Sequence, residues 1–157
     1  MKNERVLNLF DAYADDLYRF AISYVGSKQE AEDIVQEVFL KLLSRKLFIG
    51  KDYEKSYLLK MTANMCRDYL KSKRAAVSVN YDETMKDTGM DQSFTDKERQ
   101  LYEMLMQLPD SRRAPIYLHF YEGYTYKEIA KILKISESAV AMRISRGRDE
   151  LKRRWEE

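Results

Sequence analysis

A chain of 157 residues with 45% hydrophobic and 12% aromatic content has enough apolar side chain to build a packed core, which excludes global disorder. A single cysteine, Cys66, and a single histidine, His119, exclude a disulfide framework and argue against a dedicated zinc site. The net charge of +2 divides into 14 Lys+Arg against 11 Asp+Glu over residues 1–75, 2 against 6 over 76–98, and 12 against 9 over 99–157.

Only 5 Gly and 2 Pro interrupt the chain, so long helices can run and an all-α fold is expected. No stretch approaches the ~18 apolar residues of a membrane span, and the charged start "MKNERVLNLFDAYADD" lacks a signal-peptide core. A cytoplasmic chain with no membrane insertion follows as the expectation. The segment 76–98, with "VSVNYDETMKDTGMDQSFTD", is acidic and lacks helical periodicity. It reads as a flexible linker between domains at 1–75 and 99–157, in preference to a long loop inside one domain.

In chain order, Ser27 and Glu30 have capping-box spacing at the head of "GSKQEAEDIVQEVFLKLLSRK". Ala31, Ile34, Val35, Val38, Phe39 and Leu42 then follow helical spacing as a buried stripe. The opposite face carries Asp33, Gln36, Glu37 and Leu40, a leucine among acidic and amide groups. That pattern fits a contact patch and an ordinary surface equally well.

Next comes "KLFIGKDYEKSYLLKMTANMCRDYLKSKR", whose Phe48, Tyr53 and Tyr57 either stack on unpaired bases beside cations or close the helical core. On the helix expected over 55–74, Leu58, Met61, Met65 and Tyr69 point inward with Thr62, flanked by Leu59, Cys66 and Leu70. Lys60, Asn64, Arg67 and Lys71 share the other side within about 60° of arc. Such a row either follows phosphates while its amide reads a base edge, or is a solvated face. Cys66 is expected to serve as a small core hydrophobe.

Two amphipathic helices are expected at 99–108 and 112–121, split at Pro109 and Asp110. Pro115 should sit in the first turn of its helix or distort it, and His119 should pack or face solvent. Thr125 and Glu128 form a capping box, and Ile129, Ile132 and Leu133 make one apolar stripe. Lys134-Ile135-Ser136 breaks that helix, and Ser136 caps the next. Val140, Ile144, Gly147 and Leu151 then point toward the short helix. Ser138, Ala141, Met142, Ser145 and Arg146 point away near the helix start, where a helix-turn-helix reads bases, and Arg143 lies nearer the buried flank.

Three stretches in this order resemble a bacterial RNA polymerase sigma factor of the two-domain extracytoplasmic-function (ECF) type. "AEDIVQEVFLKLL" is similar to the family's polymerase-docking helix, "SYLLKMTANMCRDYLKSKR" to its promoter-melting and −10-reading helix, and "YEGYTYKEIAKILKISESAVAMRISRGRDELK" to its −35-reading domain. The resemblance implies a sigma-2-like helical bundle and a sigma-4-like helix-turn-helix joined by the acidic linker. It implies polymerase binding by Asp33, Gln36, Glu37 and Leu40, through the clamp helices of the largest subunit of bacterial core RNA polymerase. Contact with −10 DNA falls to Phe48, Tyr53, Tyr57, Lys60, Asn64, Arg67 and Lys71. Contact with −35 DNA falls to Thr125, Ser138, Ala141, Met142, Arg143, Ser145 and Arg146. Promoter DNA and core polymerase are the implied partners, an anti-sigma factor is a further candidate, and no cofactor, metal or catalytic residue is implied.

Four positions depart from the family pattern. Tyr57 stands where a tryptophan is usual, Ala141 and Met142 where lysine and serine are common, and Pro115 where an aliphatic residue is usual. The competing reading is a stand-alone dimeric helix-turn-helix regulator with an N-terminal sensing or dimerisation domain. It would protect a palindrome with half-sites about one helical turn apart.

Overall fold

The computed structural model describes residues 2–44, 53–77 and 94–156. The chain divides into two compact units, Met1–Thr88 and Gly89–Glu157. Every regular element among the described residues is helical, in agreement with the all-α expectation. Phe48 and the linker stretch 78–93 lie outside the described residues.

The first unit is built from α1 (Lys2–Val25), α2 (Lys28–Ser44) and α3 (Glu54–Val77), each packed on the other two. Gly26 ends α1 in the left-handed conformation at φ 75°, which costs a residue without Cβ nothing, and its N–H bonds Ile22 O at 2.8 Å. The turn leads straight into α2, where the Ser27 hydroxyl accepts from Glu30 N–H at 3.3 Å. All six residues of the expected α2 stripe are buried. Phe39 meets Phe10 of α1 edge-to-face, with ring centroids 5.0 Å apart.

On α3 the buried face differs from the expected one. Leu58, Leu59, Thr62, Ala63, Cys66 and Leu70 are buried, while Met61, Met65 and Tyr69 are only half-buried. The core face is thus turned toward the expected flank of Leu59, Cys66 and Leu70 and takes in Ala63. The helix packs on both α1 and α2, and the small Thr62, Ala63 and Cys66 are fully buried there while the longer side chains lie on the rim. Thr62 satisfies its hydroxyl within its own helix by donating to Leu58 O at 2.8 Å. Cys66 is a fully buried core residue, as expected, and burial pushes its thiol pKa far above the ordinary value.

The second unit contains α4 (Asp96–Met106), α5 (Asp110–Ile116), a π-helical turn (Tyr117–Tyr121), α6 (Tyr126–Leu133) and α7 (Glu137–Glu156). The first of these begins three residues before the expected start, because Thr95 and Glu98 form a complete capping box. Phe94 is buried and stacks near Tyr102 at 5.8 Å, so the folded unit reaches back into the segment read as linker.

Pro115 is the sixth residue of α5, well past the first turn. It has no N–H for the carbonyl one turn back, and the following turn widens to π geometry, closed by Glu122 N–H to Tyr117 O at 3.2 Å. Arg113 stitches α5 to the end of α4, its Nε–H donating to Leu105 O at 3.1 Å and Leu108 O at 2.9 Å. Burial lowers its pKa, against an opposing pull from Asp110. Arg112 bonds Glu150 at 2.7 Å and ties α5 to α7. Gly147 lets the same two helices approach closely: a Cβ there would overlap Ile116 Cδ1. His119 holds Tyr124 O through Nδ1 at 2.9 Å and meets the rings of Phe120 and Tyr126, a packing role as expected.

Candidate nucleic-acid and polymerase interfaces

The helix-turn-helix follows from its caps. The Thr125 hydroxyl accepts from Glu128 N–H at 3.1 Å, while Glu128 Oε1 accepts from Thr125 N–H at 2.9 Å. Ile129, Ile132 and Leu133 bury the inner side of α6, which ends at Lys134 with φ 57°. A left-handed lysine costs about 1 kcal/mol of local strain. It turns the chain sharply, and Ile135 N–H closes the turn on Ala130 O at 3.1 Å. Ser136 Oγ then accepts from Ala139 N–H at 3.0 Å and starts α7.

Val140, Ile144 and Gly147 are buried and Leu151 half-buried, which fixes the rotation of α7. Ser138, Met142, Ser145 and Arg146 are exposed together on the far side, and Ala141 and Arg143 are half-buried on its flanks. The Thr125 side chain is exposed at the head of α6, its oxygen already serving as a cap. Ser145 also borders an open groove of about 750 Å³, lined by Met104, Tyr126, Arg148 and Trp155. One feature escaped the sequence reading: Lys127 and Lys131 on α6 and Lys134 at its end are all exposed. Their spacing of four and three residues was the signal that would have found them, and a phosphate-contacting first helix uses such a row.

In the first unit Asp33, Gln36, Glu37 and Leu40 are exposed together on α2, with Leu40 58% accessible. Along α3, Lys60, Asn64 and Arg67 are half-buried and Lys71 is exposed. Arg74, seven residues beyond Arg67, is exposed and extends that row, a continuation the sequence reading left out. Tyr53 is 71% accessible and Tyr57 half-buried. The two charged residues that follow Tyr53 hold the helix start in place: Glu54 accepts from Tyr13 Oη at 3.4 Å and pairs with Arg5 at 3.5 Å, and Lys55 pairs with Asp16 at 3.6 Å. Burial, then the nearby Glu54 carboxylate, raises the Tyr13 pKa.

Comparison with known proteins assigns both units. Residues 9–76 match the Sigma-70 region 2 family and residues 98–151 match Sigma-70, region 4. The ECF RNA polymerase sigma factor SigX of Bacillus subtilis (strain 168) is 32% identical over 159 residues, spanning 94% of this chain and 82% of the relative. The chain belongs to the ECF RNA polymerase sigma factors. RNA polymerase sigma factor SigV of the same organism is also 32% identical, over 135 residues that span 85% of this sigma factor and 81% of the relative. A solved structure of the sigma factor RpoE with the anti-sigma factor NepR from Bartonella quintana has the same fold. It aligns with a TM-score of 0.67 at 21% identity, covering 96% of this chain and 94% of that one. The stand-alone dimeric regulator is not favoured, since the two units match two regions of one sigma-70 family.

Proposed function

We propose that this sigma factor docks on bacterial core RNA polymerase through the α2 face of Asp33, Gln36, Glu37 and Leu40, against the clamp helices of the largest subunit. The observation that carries the reading is the placement of Leu40, 58% accessible among those three polar residues on a helix whose other side is fully used in the core. A leucine held in water beside acceptors gives a basic, partly apolar partner both area and register. Tyr53, Tyr57, Lys60, Asn64, Arg67 and Lys71 meet the −10 element, joined by Phe48 in the segment before α3. Ser138, Met142, Ser145 and Arg146 read the −35 element, with Thr125, Ala141 and Arg143 at its margin. The domains at 1–75 and 99–157 and the acidic segment 76–98 are the corresponding division of labour.

The protein acts in the cytoplasm without catalysis of its own, and bond-making belongs to the polymerase. Among the described residues no helix is long and apolar enough to cross a membrane. An anti-sigma factor would act by covering the same α2 face. Each DNA-facing block carries a net charge of only +3. Few cations engage few phosphates, so the free protein binds DNA weakly, and polymerase supplies the effective concentration that lets two weak contacts add. The test is footprinting of selected promoter DNA with and without core polymerase. Protection of two unlike boxes only with polymerase supports the reading; protection of a palindrome by the free protein refutes it.

A further inference from the structure

Met142 is an apolar side chain, 50% accessible, on the face of α7 that otherwise presents hydroxyl and guanidinium groups. Resting on the reading of α7 as the −35-recognition helix, we propose that Met142 reads a thymine through its C5-methyl group in the major groove. The helix cannot roll to hide this side chain, because Val140 and Ile144 on the opposite side are 0% and 1% accessible. Ser138 stands one turn before Met142 and Arg146 one turn after, both exposed, so Met142 occupies the midline of the face.

A thioether donates no hydrogen bond and accepts only weakly. It therefore gives the N7 and O6 acceptors of guanine nothing, and the N6 amine of adenine or the N4 amine of cytosine only a weak acceptor. The thymine methyl is the one apolar feature on a major-groove edge. Any other base would have a polar edge stripped of water against Met142 with little in return. The unbranched side chain has three rotatable bonds and the reach to meet a methyl group without backbone adjustment. Successive turns of α7 are about 5.4 Å apart, which sets Arg146 one or two base steps from the thymine and within range of a guanine N7 and O6.

The experiment uses the full chain with core polymerase and a duplex library randomised across the upstream box. In the enriched sequence each thymine is replaced singly by deoxyuridine, which removes the C5-methyl alone. One position should lose about three- to fivefold in binding, the value of one buried methyl. The Met142→Ala variant should bind the box more weakly and no longer distinguish thymine from deoxyuridine there, while Met142→Leu should keep the preference. Because Met142 is exposed, both variants should retain the helical circular dichroism of the parent. Indifference to deoxyuridine at every thymine, an enriched box without thymine, or an equal penalty in Met142→Ala overturns the inference and leaves the promoter reading intact. Absence of any enriched box with polymerase present overturns the promoter reading, and this inference with it.

Discussion

Gly147→Ala puts two opposed effects in one position. In the interior of α7 the change favours the helix by about 1 kcal/mol. The added methyl, however, overlaps Ile116 Cδ1 and lies 3.6 Å from both Ile116 Cγ1 and Leu108 Cδ1. Ile116 is 5% and Leu108 2% accessible, so the δ-methyl cannot swing out into solvent. Overpacking of this kind costs roughly 1–3 kcal/mol. The sum is a net loss of about 1 kcal/mol in the second unit, the packing term outweighing propensity. Urea unfolding followed by amide hydrogen exchange along α7 reads this unit selectively. Ile116→Val removes Cδ1, and alone should cost about 0.5–1.5 kcal/mol. Combined with Gly147→Ala it should cost less than alone, giving a coupling of about 1 kcal/mol in a double-mutant cycle. If Gly147→Ala stabilises by its full propensity and shows no coupling to residue 116, the close approach of α5 to α7 is refuted.

Three further outcomes follow from named contacts. Thr125→Ala removes the cap on Glu128 N–H and should destabilise the second unit by about 1 kcal/mol, read by the same denaturation. Arg113→Met keeps length and apolar stem but removes the guanidinium donor from Leu105 O in α4 and from Leu108 O in the turn after it, and should cost about 1–3 kcal/mol. Cys66 should resist a thiol reagent in the native protein and react only on unfolding. Its folded pKa lies above the unfolded value near 9.0, so the contribution to stability is complete below that value. It is lost as pH rises further, and a first unit whose stability increased above pH 9 would contradict the burial.

How legible the molecule was in its sequence varied by element. The α2 stripe was read residue for residue, because a helix with one buried side follows the 3.6-residue period closely. The α3 face was read in part: Leu58, Leu59, Thr62, Cys66 and Leu70 were placed on it and are buried. What was missed is the buried Ala63, which hydropathy undervalues, while the longer Met61, Met65 and Tyr69 lie on the rim. The start of α4 was hidden because an acidic, aperiodic composition outweighed the local Thr95–Glu98 pair that caps it. Pro115 signalled distortion, and the distortion took the form of a π turn starting two residues later. For the DNA face, the caps at Thr125 and Ser136 fixed both helix starts, and with them which side of α7 is exposed. The lysine row along α6 and at its end went unread although its four- and three-residue spacing was visible, because the reading fell on the apolar stripe of the same helix.

The most direct test of the docking claim is co-purification with bacterial core RNA polymerase, comparing the unaltered chain with the Glu37→Lys, Leu40→Ala variant. Both residues are exposed, so the variant should keep its helical content. Stable association of the unaltered chain and its loss in the variant is the predicted result. Undiminished binding by the variant, or no binding by the unaltered chain when it is free of any inhibitor, would contradict the account.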